Sequence, residues 1–194
     1  IRYNIRAGNK NMAMKSTPLV PPLSSYGGDR HFGRIGVLMG GPSSEREISL
    51  KSGRAVSEAL KARGLDVVDI DIKTENINEN IVLLKSKKID CAFIALHGRF
   101  GEDGAIQEIL EEARIPYTGS GISASRLAMD KIASRQIFYA HGLCVPRYSA
   151  LKKDSYDSAA VPLNGLKFPL VVNPPSNGTS IGLSIVREKL RIEK

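Results

Sequence analysis

Cysteine is scarce in this 194-residue chain: Cys91 and Cys144 are the only two. Two such residues, one in an apolar run and one in a Gly-Leu-Cys-Val-Pro loop, make no disulfide framework. A reducing cytoplasm is therefore the default location. No apolar run approaches the roughly 20 residues that a bilayer-spanning helix needs, so no membrane partner is expected. Acidic residues are nearly missing from the first 33 positions. There Arg2, Arg6, Lys10, Lys15 and Arg30 face Asp29 alone, a net +4 that is half of the chain's +8. Elsewhere bases and acids are mixed along helical patterns. With aromatics at only 6%, no basic stripe interleaved with aromatic rings forms, which argues against a nucleic-acid partner. No metal-ligand spacing stands out, and no metal site is assigned.

What is present is organised around Arg34 to Leu50, RIGVLMGGPSSEREISL. Ile35 to Met39 is a short continuous apolar run, the pattern of a strand buried on both faces of a parallel sheet. Gly40 and Gly41 interrupt it. Ser44, three residues before Glu47, has the spacing of a capping box. Ile48, Ala55, Val56, Ala59 and Leu60 then recur at helical spacing, with Gly64 placed as the C′ residue. The result is a strand, a glycine turn and a helix whose first turn carries Glu45. In open α/β sheets such a turn faces the ligand crevice.

Residues 1–33 read as a disordered leader, since Pro18, Pro21, Pro22, Gly27 and Gly28 punctuate a stretch without apolar period. A transit peptide fits the shortage of acids, but the amphipathic spacing is poor. The chain opens on Ile1 rather than Met, as a partial or processed product does. Beyond the first unit, strand signals at 66–72 and 90–96 alternate with helix signals at 77–88 and after Asp103, a candidate cap. The helix at 77–88 is expected to bury Ile77, Ile81 and Leu84, and the next one Ile106, Ile109, Leu110 and Ala113. A short strand at 116–118 and a turn at 119–121 lead into a further helix. This alternation predicts an α/β fold, an open and mostly parallel sheet with helices on both faces. From Met129 the pattern changes. A helix at 131–140 and a strand at 147–151 precede a polar connector or helix at 152–165. Strands at 168–172 and 181–186 then flank a Gly-Ser-Thr-rich loop, which reads as a β-hairpin.

Three blocks carry chemistry. His97 ends a buried strand and enters His-Gly-Arg-Phe-Gly-Glu-Asp-Gly, at the edge where the crevice of a parallel sheet lies; a loop histidine bonded to a backbone carbonyl is the plainer alternative. Lys131, in Met129-Asp130-Lys131, reads by itself as a solvated helix lysine. Asn173 to Gly182, NPPSNGTSIG, offers backbone N–H groups and hydroxyls to phosphate oxygens, though Asn177-Gly178 is equally a plain hairpin turn. Gly119 to Ala124 fits G-x-G-x-x-A, but follows a very short strand and lacks an acidic residue about 20 positions on.

Together the blocks GGPSSEREISL, HGRFGEDG, YTGSG and MDK resemble the N-terminal half of the D-alanine–D-alanine ligases, members of the ATP-grasp superfamily. The resemblance runs from about Arg34 to Val186. It implies a Rossmann-like substrate domain over 34–128, followed over 129–194 by the start of an ATP-grasp nucleotide domain. It implies a reaction in which ATP phosphorylates one D-alanine and the amine of a second attacks the acyl phosphate, giving the dipeptide used in peptidoglycan. Glu45, Ile48 and His97 then belong to the first D-alanine site, Glu45 also taking part in catalysis through a network that reaches the phosphate-side loop. Lys131, Asn173, Gly178, Thr179 and Ser180 belong to the ATP site, with Thr179 counted as catalytic. ATP and Mg²⁺ are the implied cofactors. The Mg²⁺ ligands, an arginine, the adenine clamp and a lid are expected outside these residues, so the chain is expected to be an incomplete portion of such an enzyme. A homodimer is among the oligomeric states left open. One departure stands out: Asn173 occupies the position of a phosphate-binding lysine, and an amide loses the charge-assisted term. That departure sustains a second reading, a truncated or decayed paralogue acting as a small-molecule binding module. A dinucleotide-dependent oxidoreductase is the outside alternative.

Overall fold

The computed structural model describes residues 32–151, 165–176 and 182–188. The expected leader up to His31, the connector at 152–164 and the loop positions 177–181, with Gly178, Thr179 and Ser180, lie outside the described residues.

Strand β1 (Ile35–Gly40) is buried at all six positions, as its uninterrupted apolar run requires. It is the middle strand of a parallel sheet of order β2-β1-β3, between β2 (Val67–Ile72) and β3 (Cys91–Ile94). Ile35 pairs with Val67 on one side and with Cys91 on the other. The stretch expected as a short strand at 116–118 is a single parallel bridge, Tyr117 to Ala92, beside β3. Helix α1 (Arg46–Lys61) packs on one face, where Val37, Met39 and Ala95 gather Leu50, Val56 and Leu60. Helices α2 (Ile77–Ser86) and α3 (Ala105–Glu112) belong to the larger core on the other face, with Leu38, Ile70, Ile72, Leu84, Ile106, Ile109 and Leu110. Helices on both faces follow because the central strand is apolar in both directions.

Helix α1 departs from the apolar stripe read in the sequence. Ile48 is 52% exposed, Ala55 and Ala59 are exposed, and the buried positions are Ser49, Gly53 and Ser57. Spaced four apart on one face, these small residues let the helix axis approach the sheet closely. A methyl group at Gly53 would stand 2.5 Å from Met39 Cβ. Gly53→Ala is therefore expected to destabilise the fold by about 1–3 kcal/mol through overpacking, outweighing a helix-propensity gain of about 0.5–1 kcal/mol. Chemical denaturation checks the sign. Ser57 also donates to Asp69 Oδ1 on β2, and Lys61 Nζ lies 3.0 Å from the same oxygen. Burial pushes the Asp69 carboxyl up, but these partners together with Arg54 hold it below its ordinary range.

The ends of the helices separate what local chemistry decides from what it does not. Gly64, with φ +77, closes α1 as expected: its N–H bonds Lys61 O at 2.9 Å and Leu65 N–H bonds Leu60 O at 3.3 Å, the Schellman arrangement. The Ser44–Glu47 capping box does not form. The N-cap is Glu45, with no side-chain cap bond; the helix starts one residue later than the box requires, so Glu47 falls at N2 rather than N3. Asn76 caps α2, accepting from Glu79 N, and the helix ends at Ser86, two residues short of expectation. Of its expected face, Leu84 is buried but Ile77 is 47% exposed. Asp103 accepts from Ala105 N at 3.2 Å, one residue ahead of the Gly104 N-cap of α3.

Helix α4 (Ile122–Met129) follows the Gly119–Gly121 turn, and Asp130 caps α5 (Lys131–Ala140) by accepting from Ile132 N and Ala133 N. Residues 147–151, expected as a strand, belong to neither sheet described, and Tyr148 sits under Arg135, 5.1 Å from guanidinium carbon to ring centroid. The hairpin is present in shorter form, with β4 (Leu170–Val172) antiparallel to β5 (Ser184–Val186). No helix among the described residues is long and apolar enough to cross a membrane.

Candidate functional site

The carboxyl ends of β1, β2 and β3 meet the first turn of α1, and each contact there is fixed by a named side chain. Gly40 and Gly41 have φ of +83 and +86. A methyl group at Gly40 would fall 2.2 Å from Asp71 Oδ1 and 2.6 Å from Arg46 Nη1, so the turn needs glycine both for backbone angle and for space. Arg46 bonds Asp71 Oδ2 at 2.8 Å and Ile72 O at 3.0 Å. The bond to Asp71 raises the Arg46 pKa above its ordinary value, and the guanidinium clasps the first turn of α1 to the end of β2. Ser49 Oγ, fully buried, accepts from Gly40 N at 2.9 Å and donates to Ala95 O at 2.8 Å, joining the ends of β1 and β3.

This scaffold brings Glu45 and the His97 loop together. Glu45 is 4% exposed at the N-cap of α1, where the helix dipole favours a carboxylate. Gly98, with φ +69, lies against it: a methyl group there would stand 3.0 Å from Glu45 Oε1. Ser43 Oγ donates to His97 O at 2.8 Å and accepts from Glu45 N. The His97 ring reaches α1 itself, with Nε2 2.8 Å from Ser52 Oγ. On its other side Nδ1 is 3.6 Å from Glu102 Oε1, and Glu102 Oε2 accepts from Gly98 N at 3.0 Å. Ile48 sits on α1 one turn before Ser52, on the same face. A half-buried histidine thus stands beside the exposed Glu102 carboxylate, in a loop whose Gly98 covers the buried Glu45, with the exposed Ile48 side chain on α1. That combination suits a small zwitterion, whose ammonium the Glu45 carboxylate would take.

Of the second predicted group, Lys131 and Asn173 are among the described residues. Lys131 N donates to Pro175 O at 3.1 Å, and Lys131 Nζ lies 3.4 Å from both Pro174 O and Pro175 O. The start of α5 is therefore seated on the loop that leaves β4, directly after the exposed Asn173. Asn173 immediately precedes the two prolines whose carbonyls Lys131 contacts. Among the described residues no group of three or more His, Cys, Asp or Glu side chains could hold a metal ion.

Sequence reasoning named Glu45, Ile48 and His97 but missed Ser43, Ser52 and Glu102, the groups that hold the histidine. Ser52 lies seven residues after Glu45, two helical turns along one face, and that spacing is the signal that would have found it.

The family model for the D-alanine–D-alanine ligase N-terminus matches residues 34–81 and 76–120. The D-alanine–D-alanine ligase of Desulforudis audaxviator is 51% identical over 160 residues, covering 82% of this chain and 51% of that protein. The ligase of a Polaromonas species is 50% identical, with 81% and 46% covered. The Bacillus anthracis ligase complexed with ATP superposes with a TM-score of 0.69 at 38% identity, over 82% of this chain and 52% of that one. The Helicobacter pylori ligase gives a TM-score of 0.65 at 26% identity, over 82% and 57%. The chain spans about half the length of the curated relatives it matches. It belongs to the D-alanine–D-alanine ligase family, of whose members it carries the N-terminal part.

Proposed function

We propose that this chain is the substrate-binding portion of an enzyme that joins two D-alanine molecules at the expense of ATP, in the cytoplasm, for peptidoglycan. The observation that carries the reading is the buried Glu45 carboxylate at the α1 N-cap, held against the His97–Gly98 loop. In this scheme residues 34–128 bind the first D-alanine, and residues 129–194 begin the nucleotide domain. Glu45 takes the substrate ammonium, His97 lies beside it, and Ile48 packs on the methyl group. ATP phosphorylates the substrate carboxylate; the amine of a second D-alanine attacks the acyl phosphate, releasing dipeptide, ADP and phosphate. Lys131, Asn173, Gly178, Thr179 and Ser180 face the nucleotide, Thr179 acting as a hydroxyl donor to the transferring phosphate. Mg²⁺ would neutralise phosphate charge. Its ligands belong with the half of the relatives' length that this chain does not match. A homodimer fits this scheme but is not required by it.

The oxidoreductase alternative is dropped. The G-x-G-x-x-A stretch opens α4 after a single bridge rather than a full strand, and the relatives are ligases. A non-catalytic binding module remains as a second reading, favoured by Asn173.

The test uses a chimera of residues 34–188 followed by the C-terminal half of the D. audaxviator ligase. Glu45→Gln is expected to weaken first-site D-alanine binding about ten- to a hundredfold, as one charge-assisted contact of about 1.5–3 kcal/mol is lost. His97→Ala is expected to weaken it less. Calorimetry with D-alanine reads both, with L-alanine as control; unchanged affinity in both variants would remove these residues from the site.

A further inference from the structure

The geometry points to Ser52 and Glu102 as positioning residues that hold His97 in one orientation and, when its ring is neutral, with the proton on Nδ1. Its bearing on substrate rests on the D-alanine reading above; the ring chemistry does not.

The two ring nitrogens face partners of different kinds. Glu102 is fixed inside a closed loop: its own N–H bonds Gly98 O at 2.9 Å, and its Oε2 accepts from Gly98 N at 3.0 Å. Its Oε1 is thereby pointed at His97 Nδ1, 3.6 Å away. A carboxylate can only accept, so a lone pair on Nδ1 would face negative charge, whereas an N–H there is attracted. At this distance the carboxylate acts through its charge rather than as a full hydrogen bond. On the other side, the Ser52 hydroxyl lies 2.8 Å from Nε2 and 3.2 Å from Ser49 O. A hydroxyl rotates and either donates or accepts, so it can turn its proton from Ser49 O to Nε2. Glu102 chooses the tautomer and Ser52 conforms to it.

The arrangement also ties two separate segments. Ser52 is on α1, Glu102 in the loop after β3, and the His97 backbone oxygen is held by Ser43 ahead of α1. The ring braces the loop against α1 two turns beyond Glu45, while Ser43 holds the loop's backbone to the turn that carries Glu45. Loosening either end would let the loop move off the carboxylate, so both partners act on ligand binding through His97 and need not touch the ligand.

Long-range ¹H–¹⁵N correlation spectra of the 194-residue chain test this directly, because it contains three histidines and a His97→Gln variant assigns the signal. At a pH where the ring is neutral, His97 is expected to show mainly the Nδ1–H form. Glu102→Gln should shift it toward Nε2–H, the form imidazole prefers without a directing charge, while Ser52→Ala should keep Nδ1–H. If Glu102→Gln fails to fold, the tautomer of the unaltered chain still decides. In the chimera, Ser52→Ala and Glu102→Gln should each weaken D-alanine about two- to tenfold, and Ser52→Thr, which keeps the hydroxyl, should restore binding. A neutral His97 that is mainly Nε2–H, or one that ignores Glu102→Gln, overturns the inference. So does unchanged D-alanine affinity in both variants. If the Nδ1–H form is found but the unaltered chimera does not bind D-alanine, the functional reading fails and the tautomer assignment stands.

Discussion

Residues 1–194 expressed alone are expected to release no measurable phosphate from ATP on addition of D-alanine, and to bind ATP no more tightly than about millimolar. Phosphoryl transfer depends on positioning and on neutralising phosphate charge from several directions at once. This chain spans about half the length of its relatives. Of its proposed nucleotide groups, Asn173 is neutral, and Lys131 Nζ lies 3.4 Å from two proline carbonyls. A phosphate would have to compete with those carbonyls for the ammonium. Coupled phosphate-release assays with and without D-alanine, together with calorimetry for ATP, check the expectation. D-alanine-dependent hydrolysis by these residues alone would show that the site is complete without the matching half.

The second large effect concerns Asn173. In the chimera, Asn173→Lys is expected to tighten ATP about ten- to a hundredfold and to raise turnover, since one charge-assisted phosphate contact contributes about 1.5–3 kcal/mol. The placement supports a local effect: Asn173 follows the last residue of β4 and precedes the two prolines on which α5 is seated. It is exposed, so a lysine there need not bury its charge unpaired. Equal ATP affinity and turnover in the two chimeras would show that other groups supply the charge, and the argument from the missing cation would fail while family membership stood.

Much of this fold could be read from the sequence wherever a local interaction decides the structure. Gly64 ends α1 because only the left-handed backbone satisfies the last carbonyls. Asp130 begins α5 because its carboxylate reaches two adjacent N–H groups. The central strand shows itself by being apolar in both directions. Sequence reading failed where the deciding partner is distant in the chain. The capping box at Ser44 does not form because the turn is held by Ser43, bonded to His97 O 54 residues on, and the helix begins only after Glu45. The buried stripe of α1 consists of two serines and a glycine, which hydrophobic periodicity does not register; Gly53 is there because of the close approach to Met39, and Ser49 and Ser57 because they bond the strand ends and Asp69. Residues 147–151 resemble a strand, yet they join neither sheet of the described residues, and Tyr148 packs under Arg135 instead.

The candidate site divides along the same line. Glu45 and His97 stand out because a glycine turn and a glycine-rich loop mark the ends of parallel strands. Ser52 and Glu102 do not: one is a serine within a helix, the other a glutamate in a polar loop, and only the fold brings both to one imidazole. Lys131 is unremarkable in sequence until α5 is seen seated on the Pro174–Pro175 carbonyls.

The central claim is that this chain supplies the D-alanine-binding half of a ligase. Its most direct test is dipeptide formation by the chimera bearing Asn173→Lys, followed by mass spectrometry with ATP and isotopically labelled alanine. The account predicts D-alanyl-D-alanine that requires ATP, forms from D- but not L-alanine, and is lost in Glu45→Gln. A chimera that melts like its parent ligase and binds ATP, yet yields no dipeptide from D-alanine, would contradict it.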